Sequence, residues 1–367
     1  MTRILVSAGE PSGDLHGGPV VEKLRRLLPD AEIEAFGGAR IAEAGARVLW
    51  RMEKYTVLGF AEIIAKIPAH VRLLRELRRR FAAGRYDLVL LIDYPGFHLR
   101  VAEAARAAGV PVLYYIAPQL WAWRPERAAR FGRAVDRFAV ILPFEAPFFR
   151  SLGLAAEYVG HPLIDRPMPS RGEARRTLGI APDARVVGLF PGSRRQEVHR
   201  HWSAFRDAGL AQLAAGRADR VLVGAVDDGH YPGAGRCELM RQDPAFVLAA
   251  ADAVIAKSGT TTLQAALAGT PMIVAYRVHR VTAWFARRLM RVRWISLPNL
   301  IANDAVVEEL VQHQVTAERL GGAIAELLDP GHPRTVATRA GLARVRELLG
   351  GPGAAGRVAT MASELLR

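Results

Sequence analysis

The run Asp87-Leu-Val-Leu-Leu-Ile92 constrains this chain more than any other feature. Its apolar residues follow one another without polar alternation, and the run is too short for a buried helix. It reads as a strand covered on both faces, the mark of a parallel sheet flanked by helices. Comparable runs recur at Arg3–Ser7, Glu32–Phe36, Val110–Ile116 and Phe138–Leu142, then at Arg185–Phe190, Arg220–Ala225, Ala253–Ala256 and Met272–Tyr276. Helical stretches are predicted at 19–28 and 99–108. Such βα alternation specifies doubly wound α/β sheets. The segment Arg166-Pro-Met-Pro-Ser-Arg-Gly172 interrupts the pattern and reads as a linker. The predicted architecture is therefore two Rossmann-like doubly wound domains, 1–165 and 166–345, facing each other across a cleft, with a helical tail at 346–367. The 367 residues suit two cores.

A single cysteine, Cys237, excludes an intrachain disulfide and a Cys-based zinc site, and agrees with a reducing compartment. Met1–Ala8 is too short for a signal peptide and is expected to be a strand. No apolar run is long enough to span a bilayer. The stretch from Ala245 to Ala256 is broken by Asp252 and reads as core. A formal charge of +14 favours anionic partners, although high arginine content also follows from genome composition. The basic residues are dispersed and match no nucleic-acid-binding pattern, so nucleic acid is not the expected partner.

In doubly wound sheets ligands bind beyond the carboxyl ends of the strands. Four loops lie there. Ala8-Gly9-Glu10-Pro11-Ser12-Gly13-Asp14 follows the first strand and is either a phosphate- or sugar-binding loop or a plain strand-to-helix turn. Asp93 follows the buried strand; its apolar surroundings should raise its pKa toward that of a useful base, unless it only caps the helix predicted to begin near Leu99. Pro191-Gly-Ser-Arg194 can bring backbone and guanidinium to a diphosphate, or be an exposed turn. Ser258-Gly259-Thr260 precedes a helix, where hydroxyls and backbone N–H groups attract phosphate; simple capping is the other reading.

Two stretches mix arginine with apolar and aromatic residues. Between Phe60 and Phe81, apolar residues at 60, 63, 64, 67, 71, 74, 77 and 81 keep a helical period beside Arg72, Arg75, Arg78, Arg79 and Arg80, and Pro68 is expected to start a second helix. Between Tyr276 and Ile295, arginines alternate with Trp284, Phe285, Met290 and Trp294. Both suit the headgroup layer of an anionic membrane, or a core face opposite a solvated one.

Taken in order, these loops resemble the motif series of the lipid-A-disaccharide synthase family, inverting glycosyltransferases of the GT-B fold. The matching stretches are Ala8–Asp14, Leu58-Gly-Phe-Ala-Glu62, Ile92-Asp-Tyr-Pro-Gly-Phe97, Ala117-Pro-Gln-Leu-Trp-Ala-Trp-Arg124, Leu142-Pro-Phe-Glu145, Val159-Gly-His-Pro162, Pro191–Arg194, Ser258–Thr260, Pro271–Tyr276 and Leu297-Pro-Asn-Leu300. The resemblance implies transfer of 2,3-diacylglucosamine from UDP-2,3-diacylglucosamine to the 6-hydroxyl of 2,3-diacylglucosamine 1-phosphate (lipid X), giving a β-1,6-linked disaccharide, with no metal and no cofactor. It assigns the acceptor and catalytic role to the first domain and the UDP-sugar to the second. Asp93 would be the base. Gly9, Glu10, Ser12, Asp14, Arg194, Ser258, Gly259, Thr260, Gln264 and Asn299 would bind substrates, Asn299 at the nucleotide. The enzyme would be cytoplasmic, docked on the inner face of the bacterial inner membrane. The helices from about Pro333 to Arg367 would fold back onto the first domain or pack on a second copy in a homodimer.

This sequence departs from the family pattern at Gln264, where Glu is usual, at Gly96 and His98, where Asp and Asn are usual, and at Asn303, where Gly is usual. The segment from Arg194 to Ser258 is also shorter than the norm. Two other readings follow: a different UDP-sugar enzyme of this fold, such as an epimerase, or a lipid- or nucleotide-binding protein without turnover.

Overall fold

The computed structural model describes residues 1–55, 60–122, 125–279 and 292–367. It forms two compact units, Met1–Asp165 with Gly351–Arg367, and Arg166–Gly350.

The first unit holds a seven-stranded parallel sheet ordered β3-β2-β1-β4-β5-β6-β7. Its strands are β1 Arg3–Ala8, β2 Glu32–Gly37, β3 Arg47–Arg51, β4 Leu88–Ile92, β5 Val112–Tyr115, β6 Arg137–Val140 and β7 Ala156–Tyr158. Alternate residues of β4 point to opposite faces. Val89 and Leu91 join Phe36, Leu77, Phe81, Tyr114 and Phe138 on one side. Leu88, Leu90 and Ile92 join Val20, Leu24, Val358 and Met361 on the other. Each such fully buried side chain contributes about 1.5–3 kcal/mol, which is why a wholly apolar strand settles at the sheet's centre.

Val358 and Met361 belong to the helix Ala354–Glu364, which packs against the helix Pro11–Leu27. The last helix thus folds back onto the first sheet. Arg357 secures it by donating from Nε to Val159 O at 2.7 Å, and Asp165 Oδ1 accepts from Gly353 N at 2.5 Å. The boundary expected at 345/346 falls inside the helix Pro333–Leu349, and the chain passes between units at Gly350–Gly351.

The second unit holds a six-stranded parallel sheet ordered β10-β9-β8-β11-β12-β13. Its strands are β8 Val186–Phe190, β9 Arg220–Gly224, β10 Cys237–Met240, β11 Ala253–Lys257, β12 Met272–Tyr276 and β13 Glu308–Val311. Val187, Leu189, Val221, Ile255 and Ile273 pack with Trp202, Phe205, Ile324 and Leu327 from the covering helices.

Three helix boundaries differ from expectation. The first helix begins at Pro11, so most of the glycine-rich turn is helical. Gly13 and Gly17 serve close packing: an added Cβ would lie 3.3 Å from Ala8 Cβ and 2.7 Å from Ile41 Cδ1, respectively. The helix Phe60–Ala82 is continuous through Pro68, with Leu73, Leu74, Leu77 and Phe81 buried and Ile67 and Val71 exposed. The helix expected near Leu99 begins at Pro95.

The order of strands places one reversal in each sheet. The first chain segment builds outward from β1 to β3 and then returns to lay β4 beside β1; the second builds from β8 to β10 and returns with β11 beside β8. Ligands in this architecture bind at such switch points. Those of the two sheets carry the loops after β1 and β4, and after β8 and β11.

Candidate active site

Asp93 leaves β4 in a left-handed conformation, φ 53°, and Tyr94 follows at φ 54°. Two consecutive non-glycine residues in this region cost about 1–3 kcal/mol each and persist only when their surroundings hold them. The holding groups are visible. Asp93 N donates to Tyr115 O at 3.0 Å. Asp93 O accepts from His98 Nδ1 and from the Tyr114 hydroxyl, both at 2.6 Å. No side chain caps the helix Pro95–Ala107, so Asp93 is not its cap. Burial pushes its carboxyl above the ordinary 3.8, against the opposing pull of the Tyr94 backbone N–H.

Because Asp93 O can only accept, His98 Nδ1 carries the proton and Nε2 accepts from Ser7 Oγ at 2.8 Å. His98 is fully buried, and burial moves its pKa down to about 3. It stays neutral with both nitrogens engaged, which removes it as an alternative base.

The loops after β1 and β4 interlock. A Cβ on Gly9 would lie 2.3 Å from Tyr94 Cδ1, so only glycine leaves room for that ring. Tyr94 donates to His70 Nε2 at 2.6 Å, since His70 Nδ1 donates to Lys66 O at 2.9 Å. Burial, and then the charge of Glu10, push the Tyr94 phenol up. Ser12 is exposed in the first turn of the helix Pro11–Leu27. Asp14, expected to bind substrate, is buried and serves the fold: Oδ1 accepts from Gly38 N at 2.8 Å and Ile41 N at 3.2 Å, and Oδ2 from Arg40 N at 3.0 Å. It caps the short helix Ala39–Glu43 from outside and has no face left for a ligand.

Beyond β5 and β6, the buried Glu145 accepts from Trp121 Nε1 at 2.9 Å and from Ile141 N and Leu142 N at 3.1 and 2.9 Å. It fastens the loop carrying Trp121 to the end of β6. Trp123 and Arg124 lie outside the described residues, as do Leu58, Gly59 and the stretch 280–291 that includes Trp284, Phe285 and Met290.

In the second unit, Glu197 organises the switch point. Its Oε1 accepts from Lys257 Nζ at 3.0 Å and its Oε2 from Ser193 N at 3.0 Å. Arg194 is exposed at the N-cap of the helix Arg195–Ala214, and its guanidinium has no hydrogen-bond partner among the described residues. The adjoining cavity, about 410 Å³, is lined by Arg195, Gln196, His199, Arg200 and His230, with no carboxylate. Helix spacing groups Arg195, His199 and Arg200, and the fold adds His230, which no sequence pattern announces.

Ser258 Oγ donates to Ile295 O at 2.7 Å and keeps its lone pairs. Gly259 at φ 156° and Thr260 then open the helix Thr260–Ala268, whose first N–H groups lack intrahelical acceptors. Gln264 is half-buried one turn along. Asn299, expected to contact a nucleotide, is fully buried and spent on the fold: Nδ2 donates to Val307 O and to Glu309 Oε1, both at 2.9 Å, and Oδ1 accepts from Val307 N at 2.8 Å. Its motif position suggested a ligand, but its three bonds brace the strand β13.

Among the described residues no three His, Cys, Asp or Glu side chains converge as a metal site. The site chemistry available on the chain is a partly desolvated carboxylate in one unit, and unpaired cations with a helix N-terminus in the other.

The family model of lipid-A-disaccharide synthetase matches residues 4–348. The chain belongs to the lipid-A-disaccharide synthase family. The lipid-A-disaccharide synthase of Geobacter metallireducens is 41% identical over 377 residues, covering 99% of this chain and 97% of the relative. That of Myxococcus xanthus is 38% identical over 374 residues, with 99% and 97% covered. Membership makes this chain a glycosyltransferase of lipid A disaccharide synthesis that uses a UDP-sugar. Solved structures share the GT-B fold at low identity. The UDP-GlcNAc 2-epimerase of Neisseria meningitidis gives a TM-score of 0.63 at 11% identity, over 99% of both chains. MurG of Acinetobacter baumannii gives 0.60 at 14%, again over 99% of both.

Proposed function

We propose that this family member transfers 2,3-diacylglucosamine from UDP-2,3-diacylglucosamine to the 6-hydroxyl of lipid X by one inverting displacement, with Asp93 as base. The acceptor oxygen bonds to the sugar's anomeric carbon while the bond from that carbon to the UDP oxygen breaks. The hydroxyl proton passes to the Asp93 carboxylate, and UDP leaves with the electron pair. Arg194 and the N–H groups at Ser258–Thr260 stabilise the charge that grows on the diphosphate.

The observation that carries this reading is the Asp93 carboxylate itself, partly desolvated and held at the switch point between β1 and β4 by a backbone bound on both sides. Glu10 and Gly9, across the same switch point, then belong to the acceptor's surroundings. Gln264 replaces a charged ribose contact with an amide oxygen that still accepts.

Both lipid substrates lie in a membrane, so the enzyme docks on the inner leaflet. Support comes from the helix Phe60–Ala82, where Ile67 is 50% and Val71 41% exposed. Arg72 and Arg75 are exposed beside them. Among the described residues no helix is long and apolar enough to cross a membrane.

The purified chain is incubated with both lipids while UDP release and disaccharide are followed. Wild-type protein should yield both, and Asp93→Asn should yield neither while binding the donor normally. Turnover by Asp93→Asn at the wild-type rate would remove Asp93 as the base.

A further inference from the structure

We propose that His98, with Ser7 and Tyr114, is a positioning device that grips the backbone carbonyl of Asp93 and so aims its carboxylate at the acceptor. This rests on the reading of Asp93 as the base.

The grip is made from three elements of the first unit. Ser7 comes from β1, Tyr114 from β5 and His98 from the end of the first turn of the helix Pro95–Ala107. His98 Nδ1 and the Tyr114 hydroxyl converge on Asp93 O at 2.6 Å each. Ser7 Oγ holds His98 Nε2 at 2.8 Å. Ser7, His98 and Tyr114 are all fully buried. Two donors on one carbonyl, His98 held by Ser7 and the Tyr114 ring packed against Phe131 and Phe138, fix the peptide between Asp93 and Tyr94 in orientation as well as position.

That peptide is where the left-handed turn is made, since Asp93 and Tyr94 both have positive φ. If the carbonyl is released, the turn can relax toward the extended backbone that an L-residue prefers. The side chain of Asp93 would swing with it. A serine–histidine pair often signals a nucleophile, but here the histidine's second nitrogen faces a backbone carbonyl and neither group meets solvent. The pair has no route to a substrate and acts only through Asp93.

The test compares His98→Leu, His98→Asn and Tyr114→Phe in the full-length protein with both lipid substrates, beside Asp93→Asn. A misaimed base lowers kcat and leaves binding alone. His98→Leu should lose about a hundredfold in kcat, the scale expected for misplacing a reacting group by about an ångström, with KM for both substrates within about threefold. His98→Asn should recover most of that loss, because its amide nitrogen occupies the place of Nδ1 and donates to the same carbonyl. Tyr114→Phe, which keeps the buried ring, should lose about tenfold in kcat by the same split.

Wild-type kcat in both His98→Leu and Tyr114→Phe would overturn the proposal. So would equal losses in the Leu and Asn variants, which would mark His98 as packing alone. Should His98→Leu fail to fold, the His98→Asn and Tyr114→Phe pair decides by the kcat and KM split. Turnover by Asp93→Asn would instead defeat the base assignment, and the positioning role with it. An inactive Asp93→Asn beside fully active grip variants would defeat the positioning role only.

Discussion

Trp121 and Glu145 are joined by a 2.9 Å hydrogen bond from the indole Nε1 to Oε1, inside a site where the carboxyl is only 2% exposed. Burial raises the Glu145 carboxyl to about 7, although the indole and two backbone N–H groups favour its ionised form. The folded state therefore binds this proton more tightly than the unfolded chain does. Its contribution is fully present below about 4.5 and is lost as pH rises to about 7. We expect the difference in unfolding free energy between wild type and Glu145→Gln to change by about 3 kcal/mol across that window. Denaturant melts at several pH values measure it, and a flat difference would contradict the assignment.

Gly9→Ala places a Cβ against the Tyr94 ring. Overpacking of this kind costs about 1–3 kcal/mol, and here the strain falls on the turn that carries Asp93. Turnover should fall along with thermal stability. Removing the ring as well, in Gly9→Ala with Tyr94→Ala, should return part of the stability, and strictly additive losses would show that the contact is not the cause.

Asp93 has a pKa raised above 3.8 by burial. As the base it must be ionised, so kcat/KM should fall on the acid side as pH drops through that raised value. The same acid limb should be seen with lipid X analogues of equal acceptor chemistry. A pH–rate profile with no acid limb above pH 3.8 would argue against Asp93 as the titrating group.

Glu197 binds Lys257 at 3.0 Å, with both side chains 19% exposed. Burial raises its pKa, but Lys257 and the Ser193 N–H outweigh burial and hold it below the ordinary 4.5. The stabilisation is present above 4.5 and lost as pH falls through the lowered value. Glu197→Gln should cost about 1–2 kcal/mol at neutral pH, between the limits for exposed and buried pairs. It should also weaken UDP binding, read by calorimetry, because one amide oxygen cannot serve both Lys257 Nζ and Ser193 N and the loop holding Arg194 is held less firmly. Unchanged affinity would separate that loop from the donor.

Asn299→Ala leaves the Val307 N–H and C=O without their partners. A loss of about 1–3 kcal/mol is expected, seen as a lower melting temperature, with KM for the donor unchanged in protein that remains folded. A large rise in donor KM at unaltered stability would return Asn299 to the binding site.

The nine strands legible in the sequence are the inner ones, and the four that were missed, β3, β7, β10 and β13, are the edges of the two sheets. An inner strand such as β4 is buried at every position, so its composition announces it. An edge strand such as β3, with no fully buried residue, has no such signature and is specified by the neighbour it pairs with. The order of motif loops identified the family for the same reason: strand ends and the small residues after them are local properties of the chain. What Asp14, Asn299 and His98 do was not local. Each is a polar residue in or beside a motif, and only the folded chain shows whether its bonding capacity is free for a ligand or already filled by backbone groups 24–27, 8 or 5 residues away in sequence. A buried polar atom must be satisfied by whatever the fold brings to it, and that partner is set by tertiary packing.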